Sequence, residues 1–239
     1  MVMSVTLLGN DTDLAASQVD RRFDLDLDAV DAGFRTHADP TRMVQWLIDT
    51  FPIDQIVLAS AMAAPVLVDV VSRVAPGIEV VFLDTGYHFE ETLRTVDTVA
   101  DRYPIRLTIT PAPPVGDEQY LTDPDACCNR RKVVPFEQVR SNKSAWISGV
   151  RRSDSATRQH TPFVQRDRQG LVKLNPIAAW TDADVATYAA IHDVPLNPLM
   201  SQGYPSIGCW PCTRRPLNSE DARSGRWADQ AKTECGLHL

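Results

Sequence analysis

Short apolar runs alternate with amphipathic segments through the middle of the chain. Asp39 and Pro40 are typical of an N-cap and a first helical residue, and they predict a helix that runs to about Phe51. QIVLAS (55–60) predicts a short buried strand, and APVLVDVVSRV (64–74) predicts a helix despite its β-branched residues. The same patterns predict strands at 79–85, 105–110, 144–150 and 172–177, a helix from about Glu90 to Tyr103, and a helix capped by Thr181 and Asp184 that runs to about His192.

Strands that alternate with helices predict right-handed βαβ units and therefore an α/β fold with a doubly wound, mostly parallel sheet. Ligands of such a sheet lie outside the carboxyl ends of its strands. These ends are predicted at Ser60, in LDTGY (83–87) and in GVRRSDSATR (149–158), where polar, glycine and basic residues suit an anionic nucleotide. The alternative is that Ser60 and Gly86 are ordinary turn residues and that the arginines are solvated.

Composition and charge indicate a globular protein with a local anion site rather than a nucleic-acid-binding protein. The 239 residues suffice for one substantial domain with appendages, and 44% hydrophobic with 23% charged residues is typical of a globular chain. A net charge of -7 argues against general nucleic-acid binding. Many of the basic residues nevertheless cluster at 130–132, 151–158, 214–215 and 223–226, which indicates one local anion site.

The chain is expected to have three parts. Residues 11–31 carry seven Asp against only Arg21 and Arg22, which predicts a solvated acidic arm at residues 1–38. An α/β domain is expected at 39–216 and a C-terminal tail at 217–239. No basic signal-peptide segment and no apolar run of membrane-spanning length is recognisable, so we expect a soluble cytoplasmic protein whose thiols stay reduced.

Four of the five cysteines form two close pairs, Cys127 with Cys128 and Cys209 with Cys212. Such pairs in a reducing compartment point to metal binding, and four thiolates can hold either zinc or an iron-sulfur cluster. Directly adjacent cysteines fit poorly around one small ion, whereas a cube-shaped cluster offers separate iron corners. The spacing therefore favours a [4Fe-4S] cluster, with zinc as the alternative.

Several motifs together resemble one enzyme family. They are LDTGY, the cysteine pair followed by RRK, SGVRR, KLNPIAAW, YPSIGCWPC, GRW and KTECGLH. From about residue 55 to the C-terminus the chain resembles the assimilatory sulfonucleotide reductases, specifically the iron-sulfur adenylylsulfate (APS) reductases. The resemblance implies a sheet of the PP-loop, adenine nucleotide alpha hydrolase-like type. It also implies reduction of APS to sulfite and AMP in sulfate assimilation, with thioredoxin as the electron donor, and it allows a homo-oligomer.

The resemblance also implies roles for individual residues. Cys235, in ECGLH, matches the nucleophile that forms a cysteine S-sulfonate, and a mobile tail would let it meet first the nucleotide and then thioredoxin. The matching residues are Lys132, Arg158, Arg223, Arg226 and His238 around the phosphosulfate, and Ser60, Leu83 and Gly149 around the nucleotide. The cluster on Cys127, Cys128, Cys209 and Cys212 is expected to support anion binding rather than to pass electrons to the substrate. Lys132, four residues beyond Cys128, is expected between cluster and substrate.

One segment departs from the family pattern and keeps alternatives open. SAMAAPV (60–66) lacks the glycine and the acidic pair of many relatives' phosphate loops, which weakens that loop assignment and argues against a magnesium-ATP site. The 3'-phosphorylated analogue PAPS, or both nucleotides, could be the substrate, although PAPS-specific relatives generally lack the cysteine pairs. An ATP-pyrophosphatase-type adenylating enzyme and a zinc-stabilised binding protein are further alternatives.

Overall fold

The computed structural model describes residues 25–216, 222–227, 230, 232 and 234–237. The helices are α1 (Leu27–Thr36), α2 (Pro40–Thr50), α3 (Val66–Val74), α4 (Glu90–Arg102), α5 (Gln119–Thr122), α6 (Pro124–Cys128), α7 (Val134–Arg140) and α8 (Asp182–His192), with a π-helical turn at Asn129–Val133 between α6 and α7. The strands are β1 (Ile56–Ala59), β2 (Glu79–Leu83), β3 (Arg106–Thr110), β4 (Ala145–Ser148), β5 (Val164–Arg166) and β6 (Val172–Leu174).

The strands form one sheet in the order β3-β2-β1-β4-β6-β5, and all neighbours are parallel except β5 and β6. The predicted α/β, mostly parallel fold is confirmed. Chain order reverses between β1 and β4, where Ala59 lies opposite Ser148. A ligand crevice is expected at this switch point, immediately beyond Ser60 and Gly149.

The two faces of the sheet are covered differently. On one face, Ile56 and Leu58 of β1 belong to a large apolar cluster that also includes residues of α2, α3 and α4. We call this the closed face. On the other face, the open face, Val57, Val81, Phe136 and Trp146 form a small cluster, and Leu237 of the tail packs against it. Alternation of side chains along β1 sends Val57 to one face and its two neighbours to the other.

The prediction of a solvated acidic arm is wrong for the part of the arm that the structure describes, from residue 25 onward. Leu27, Val30 and Phe34 recur at helical spacing and pack α1 against the closed-face cluster. Asp31 is buried and accepts hydrogen bonds from the backbone N–H groups of Phe163 (2.6 Å) and Val164 (3.3 Å). The acidic composition concealed a docked helix. Residues 1–24 of the proposed arm lie outside the described residues.

Strand β5 was not predicted from the sequence. It is only three residues long, pairs antiparallel with β6 at the edge of the sheet, and turns back through Gly170 at φ +84°. Two of its three residues, Gln165 and Arg166, are polar, so the sequence shows no alternation of apolar and polar positions that would predict a strand. None of the described helices is long and apolar enough to cross a membrane.

Candidate active site

The two cysteine pairs meet at one pocket. Cys127 and Cys128 end α6, whose N-terminus is capped by the Asp123 carboxylate accepting from the Ala126 N–H (2.9 Å). Cys209 and Cys212 flank a 3₁₀ turn, and all four side chains line the same pocket with Tyr87, Lys132 and Trp227 among its other residues. All five cysteines of the chain are free thiols. That the two pairs hold one cluster stays a prediction.

The loop after β2 holds the Cys209 segment in place. The Trp210 N–H donates to the Tyr87 carbonyl (2.7 Å), and the Thr85 hydroxyl lies 3.3 Å from the Cys209 sulfur. His88 and Cys209 also form an isolated antiparallel bridge. The LDTGY motif therefore connects the carboxyl end of β2 directly to the cysteine pocket.

A wide helical turn carries Lys132 to the thiols. Pro135 has no N–H to donate, and the turn at Asn129–Val133 just before it is π-helical, a deviation that is frequent at functional sites. Burial alone would lower the pKa of Lys132, but the thiols of Cys209, Cys235 and Cys128 raise it. Burial likewise raises the pKa of Cys209, but Lys132, Thr85 and Arg226 together offset this, so that the pKa is lowered. Lys132 is thus a cation placed among the thiols.

The four pocket thiols differ from a preformed metal site. Within the described ranges, no group of three or more His, Cys, Asp and Glu side chains is arranged to hold a metal ion. The four thiols share a pocket without converging in this way. Burial raises the pKa of Cys127 and of Cys128, and raises that of Cys212 to about 11, so these thiols need a positive partner to ionise. Cys127, Cys128, Cys209 and Cys212 are the side chains that could hold a cluster.

Arg226 is fixed beside the pocket by a close backbone approach. Its guanidinium donates to the Ile207 carbonyl (3.2 Å) and the Ser206 hydroxyl (3.3 Å), and it lies 4.6 Å from the centre of the Trp227 ring. A Cβ atom at Gly208 would meet the end of the Arg226 side chain, so a larger residue there would displace the guanidinium. The Trp227 N–H also donates to the Cys212 carbonyl (3.0 Å), which joins GRW to the cysteine turn.

The described tail residues lie against the domain. Lys232 forms an ion pair with Asp125 of α6. Cys235 is partly buried, close enough to Lys132 and Cys128 to influence their pKa values. Gly236 has φ +83°, and Leu237 packs on the open face. The predicted nucleophile therefore lies beside the predicted cluster ligands, whereas His238 lies outside the described residues.

Two predicted anion-binding residues, Arg158 and Arg223, converge on a residue that the sequence pattern did not single out. The carboxylate of Glu234 accepts from Arg158 Nε (2.8 Å) and Nη2 (2.6 Å) and from Arg223 Nη2 (3.3 Å). The third arm of Arg158, Nη1, donates to Asp154 (3.1 Å). An acidic residue directly before the predicted nucleophile, in a chain whose basic residues cluster, was the one available signal for Glu234.

The predicted nucleotide residues stand at the expected edge of the sheet. Ser60 and Gly149 follow β1 and β4, and Leu83 ends β2. The Ser60 hydroxyl accepts from the Met62 N–H (3.3 Å), and Met62 has φ +54°. A left-handed methionine is strained, so the loop that lacks glycine still adopts a conformation that favours glycine.

Other basic residues of the clusters have structural partners. Arg131 is buried and donates to the carbonyls of Thr85, Pro113 and Pro114, which joins two loops to the π-helical turn. Arg151 pairs with Asp154 and Asp182. Both side chains therefore have a structural role in the fold.

Comparison with known proteins gives a consistent result. The model of the phosphoadenosine phosphosulfate reductase domain family matches residues 55–215. The adenosine 5'-phosphosulfate reductase of Mycobacterium tuberculosis is 50% identical over 191 residues, which cover 76% of this chain and 75% of that protein. The enzyme of the same name from Mycobacteroides abscessus is 46% identical over 211 residues, covering 84% and 88% of the two chains.

Solved structures agree in fold. The phosphoadenylyl-sulfate (PAPS) reductase of Candida auris superposes with a TM-score of 0.69 at 27% identity, covering 78% of this chain and 95% of that one. An FMN adenylyltransferase from Candida glabrata has a TM-score of 0.56 at 15% identity over 84% and 76% of the two chains, a likeness of fold alone. The matched domain, the cysteine pocket and the docked tail lead to one conclusion: the chain belongs to the phosphoadenosine phosphosulfate reductase domain family and is a sulfonucleotide reductase.

Proposed function

We propose that this protein reduces APS to sulfite and AMP in the cytoplasm, with thioredoxin as the electron donor. The observation that carries the proposal is the position of Cys235, on a tail docked beside the four-cysteine pocket and Lys132. The mycobacterial relatives are named as APS reductases, which supports APS as the substrate. The thiolate is the reactive form of a cysteine nucleophile.

The proposed reaction has two transfers. The Cys235 thiolate attacks the sulfur of APS, a sulfur–sulfur bond forms, the bond between sulfur and the bridging oxygen breaks, and AMP leaves with the electron pair. A thioredoxin thiolate then attacks the Cys235 sulfur and releases sulfite with the bonding electrons. The second thioredoxin thiol resolves the mixed disulfide, which leaves thioredoxin oxidised and Cys235 free.

The cations of the site stabilise charge in the first transfer. Lys132 and Arg226 both lower the pKa of the Cys209 thiol, and they are assigned to the phosphosulfate together with Arg158 and Arg223 and, outside the described residues, His238. Ser60, Leu83 and Gly149 are assigned to the nucleotide, at the ends of three adjacent strands. Negative charge grows on the AMP oxygen as its bond to sulfur breaks, so fixed cations there lower the barrier.

The four pocket cysteines are assigned to a [4Fe-4S] cluster. They are free thiols around one shared pocket, and the directly adjacent pair Cys127 and Cys128 fits separate iron corners better than a single zinc tetrahedron. When bound, the cluster supplies positive electrostatic influence and rigidity next to the substrate anion.

PAPS is the second candidate substrate. The family model and the Candida auris structure carry its name, and this observation alone favours it. PAPS differs from APS by a 3'-phosphate, which would need further cations at the nucleotide edge. The likeness to FMN adenylyltransferases concerns only the fold and does not favour an adenylating activity.

The test is sulfite release by anaerobically purified protein, with APS or PAPS and with or without thioredoxin. We expect rapid release from APS only when thioredoxin is present, slow release from PAPS, and a brown protein that loses its visible absorbance in a Cys127→Ser variant. Equal rates with both nucleotides would establish dual specificity. A colourless, zinc-containing protein that releases no sulfite would instead support the binding-protein alternative.

A further inference from the structure

The Glu234 side chain occupies a complete oxyanion cradle. Besides the two bonds from Arg158 and the one from Arg223, its carboxylate accepts from the hydroxyls of Thr157 (3.2 Å) and Ser155 (3.5 Å). The side chain is only 8% exposed. Five donors around a buried carboxylate also describe a site for a sulfonate or phosphate group, which presents similar oxygens to a guanidinium fork.

With Glu234 in place, every nitrogen of the Arg158 guanidinium already donates to a carboxylate. Nε and Nη2 bind Glu234, and Nη1 binds Asp154. Burial alone would raise the pKa of Glu234, but the hydrogen bond and charge of Arg158, with the charge of Arg223, lower it. The carboxylate is therefore ionised at neutral pH, and it neutralises the arginines assigned to the phosphosulfate.

The residues that follow Glu234 link its carboxylate to the proposed nucleophile. Gly236 adopts a left-handed conformation, and among the described residues an added Cβ would contact Val133, at 3.6 Å. Leu237 packs beyond it on the open face. Cys235 directly follows Glu234, so a shift of the tail that withdraws the carboxylate from the cradle also moves the thiol relative to a group that enters it.

We propose that Glu234 is a specificity-determining residue that competes with the terminal oxyanion of the substrate for Arg158 and Arg223. This inference rests on the proposed function. A nucleotide with a sulfate or phosphate group beyond its α-phosphate exchanges that group with the Glu234 carboxylate, whereas AMP, which ends at the α-phosphate, leaves Glu234 in the cradle. The exchange therefore makes the site discriminate between substrate and product.

The probes are ADP, whose β-phosphate replaces the sulfonate of APS without being transferable, and AMP. Calorimetric titration uses anaerobically purified, full-length protein as wild type, Glu234→Gln and Asp49→Asn. Asp49 is exposed near the end of α2, before the amino end of β1, so its substitution removes one negative charge without touching the site. We expect Glu234→Gln to tighten ADP binding about tenfold, since a charge-assisted competitor is lost, and to leave AMP binding within about twofold. Asp49→Asn should change neither affinity.

Unchanged or weaker ADP binding by Glu234→Gln, with normal AMP binding, would overturn the inference and make Glu234 a permanent anchor of the tail. Equal tightening of ADP and AMP would also overturn it, because competition at the terminal group would then not be the cause. If folded, cluster-containing wild type binds neither nucleotide, the proposed function itself fails. Adding Arg158→Met should weaken ADP binding both in the wild type and in the Glu234→Gln variant, because it removes the contested cradle.

Discussion

The closed and open faces of the sheet differ in how completely apolar side chains cover them. On the closed face, apolar side chains of helices and strands form one continuous cluster around Leu58. On the open face, the small cluster around Trp146 adjoins a pocket that is lined by Gly236 and Leu237 of the tail, by Val133 and by Lys173. The apolar core is thus concentrated on one face, and the proposed active site lies on the other face and at the adjoining strand ends.

The largest expected effect comes from Cys235→Ser. The proposed mechanism needs a sulfur nucleophile, so thioredoxin-dependent sulfite release should fall to the background rate. The side chain is only partly buried, and the fold and visible absorbance should be retained. Steady-state assays with matched absorbance spectra check this. Residual activity within a few fold of wild type would show that another group is the nucleophile.

Substitutions of the adjacent cations Lys132 and Arg131 should have the next largest effects. They distinguish the proposed catalytic role of Lys132 from the structural role of Arg131. Lys132→Met should lower kcat/KM for APS by about 10²–10³-fold, as expected for loss of a fixed cation at developing charge. Arg131→Met should instead lower the unfolding midpoint, because three loop carbonyls lose their donor. Thermal unfolding and steady-state kinetics, measured on both variants, show whether each substitution affects catalysis or stability. An active, cluster-containing Lys132→Met enzyme would remove Lys132 from the site.

Apolar truncations should distinguish the faces directly. Leu58→Ala, on the closed face, should reduce the free energy of unfolding by about 2–5 kcal/mol, because the cavity cannot collapse within a packed cluster. Leu237→Ala, on the open face, should cost less than about 1 kcal/mol and should mainly alter the KM for APS. Similar losses of stability in denaturation experiments would contradict the division between the faces.

A smaller effect than that of Leu58→Ala concerns pH and Lys173. Burial, with repulsion from Arg158, lowers the pKa of Lys173 to about 8, whereas an unfolded lysine titrates near 10.4. Between these values the unfolded state binds more protons, so the Lys173 contribution to stability rises with pH. We expect Lys173→Met to stabilise the protein by about 1–3 kcal/mol at pH 7 and by much less near pH 10. A difference independent of pH would indicate a normal pKa.

Some of the fold could be predicted from particular segments. The strands from QIVLAS to VKLNPI are short apolar runs between helical patterns, so the order of elements and the parallel sheet were predictable. Helix α1 was missed because seven aspartates dominated its region, although Leu27, Val30 and Phe34 lie on one helical face. Burial of Asp31 depends on two N–H groups that are far away in sequence, and no local pattern shows such contacts.

The cysteines of the candidate site were easier to predict from the sequence than its charged residues. Two cysteine pairs indicate a shared ligand group whatever the fold, and the pocket brings them together. Arginines are less specific, because Arg131 and Arg151 in the same clusters have structural partners. Glu234 was missed because only the tertiary structure brings Arg158, Arg223 and the tail together.

The most direct test of the central claim is the intact mass of anaerobically purified protein after mixing with APS or PAPS in the absence of thioredoxin. The account expects a mass increase of one SO₃ group with APS, removed by reduced thioredoxin and absent in Cys235→Ser. The adduct would establish the nucleophile, the covalent intermediate and the preferred nucleotide together. No adduct with either nucleotide, from brown and intact protein, would contradict the proposed reaction at its first step.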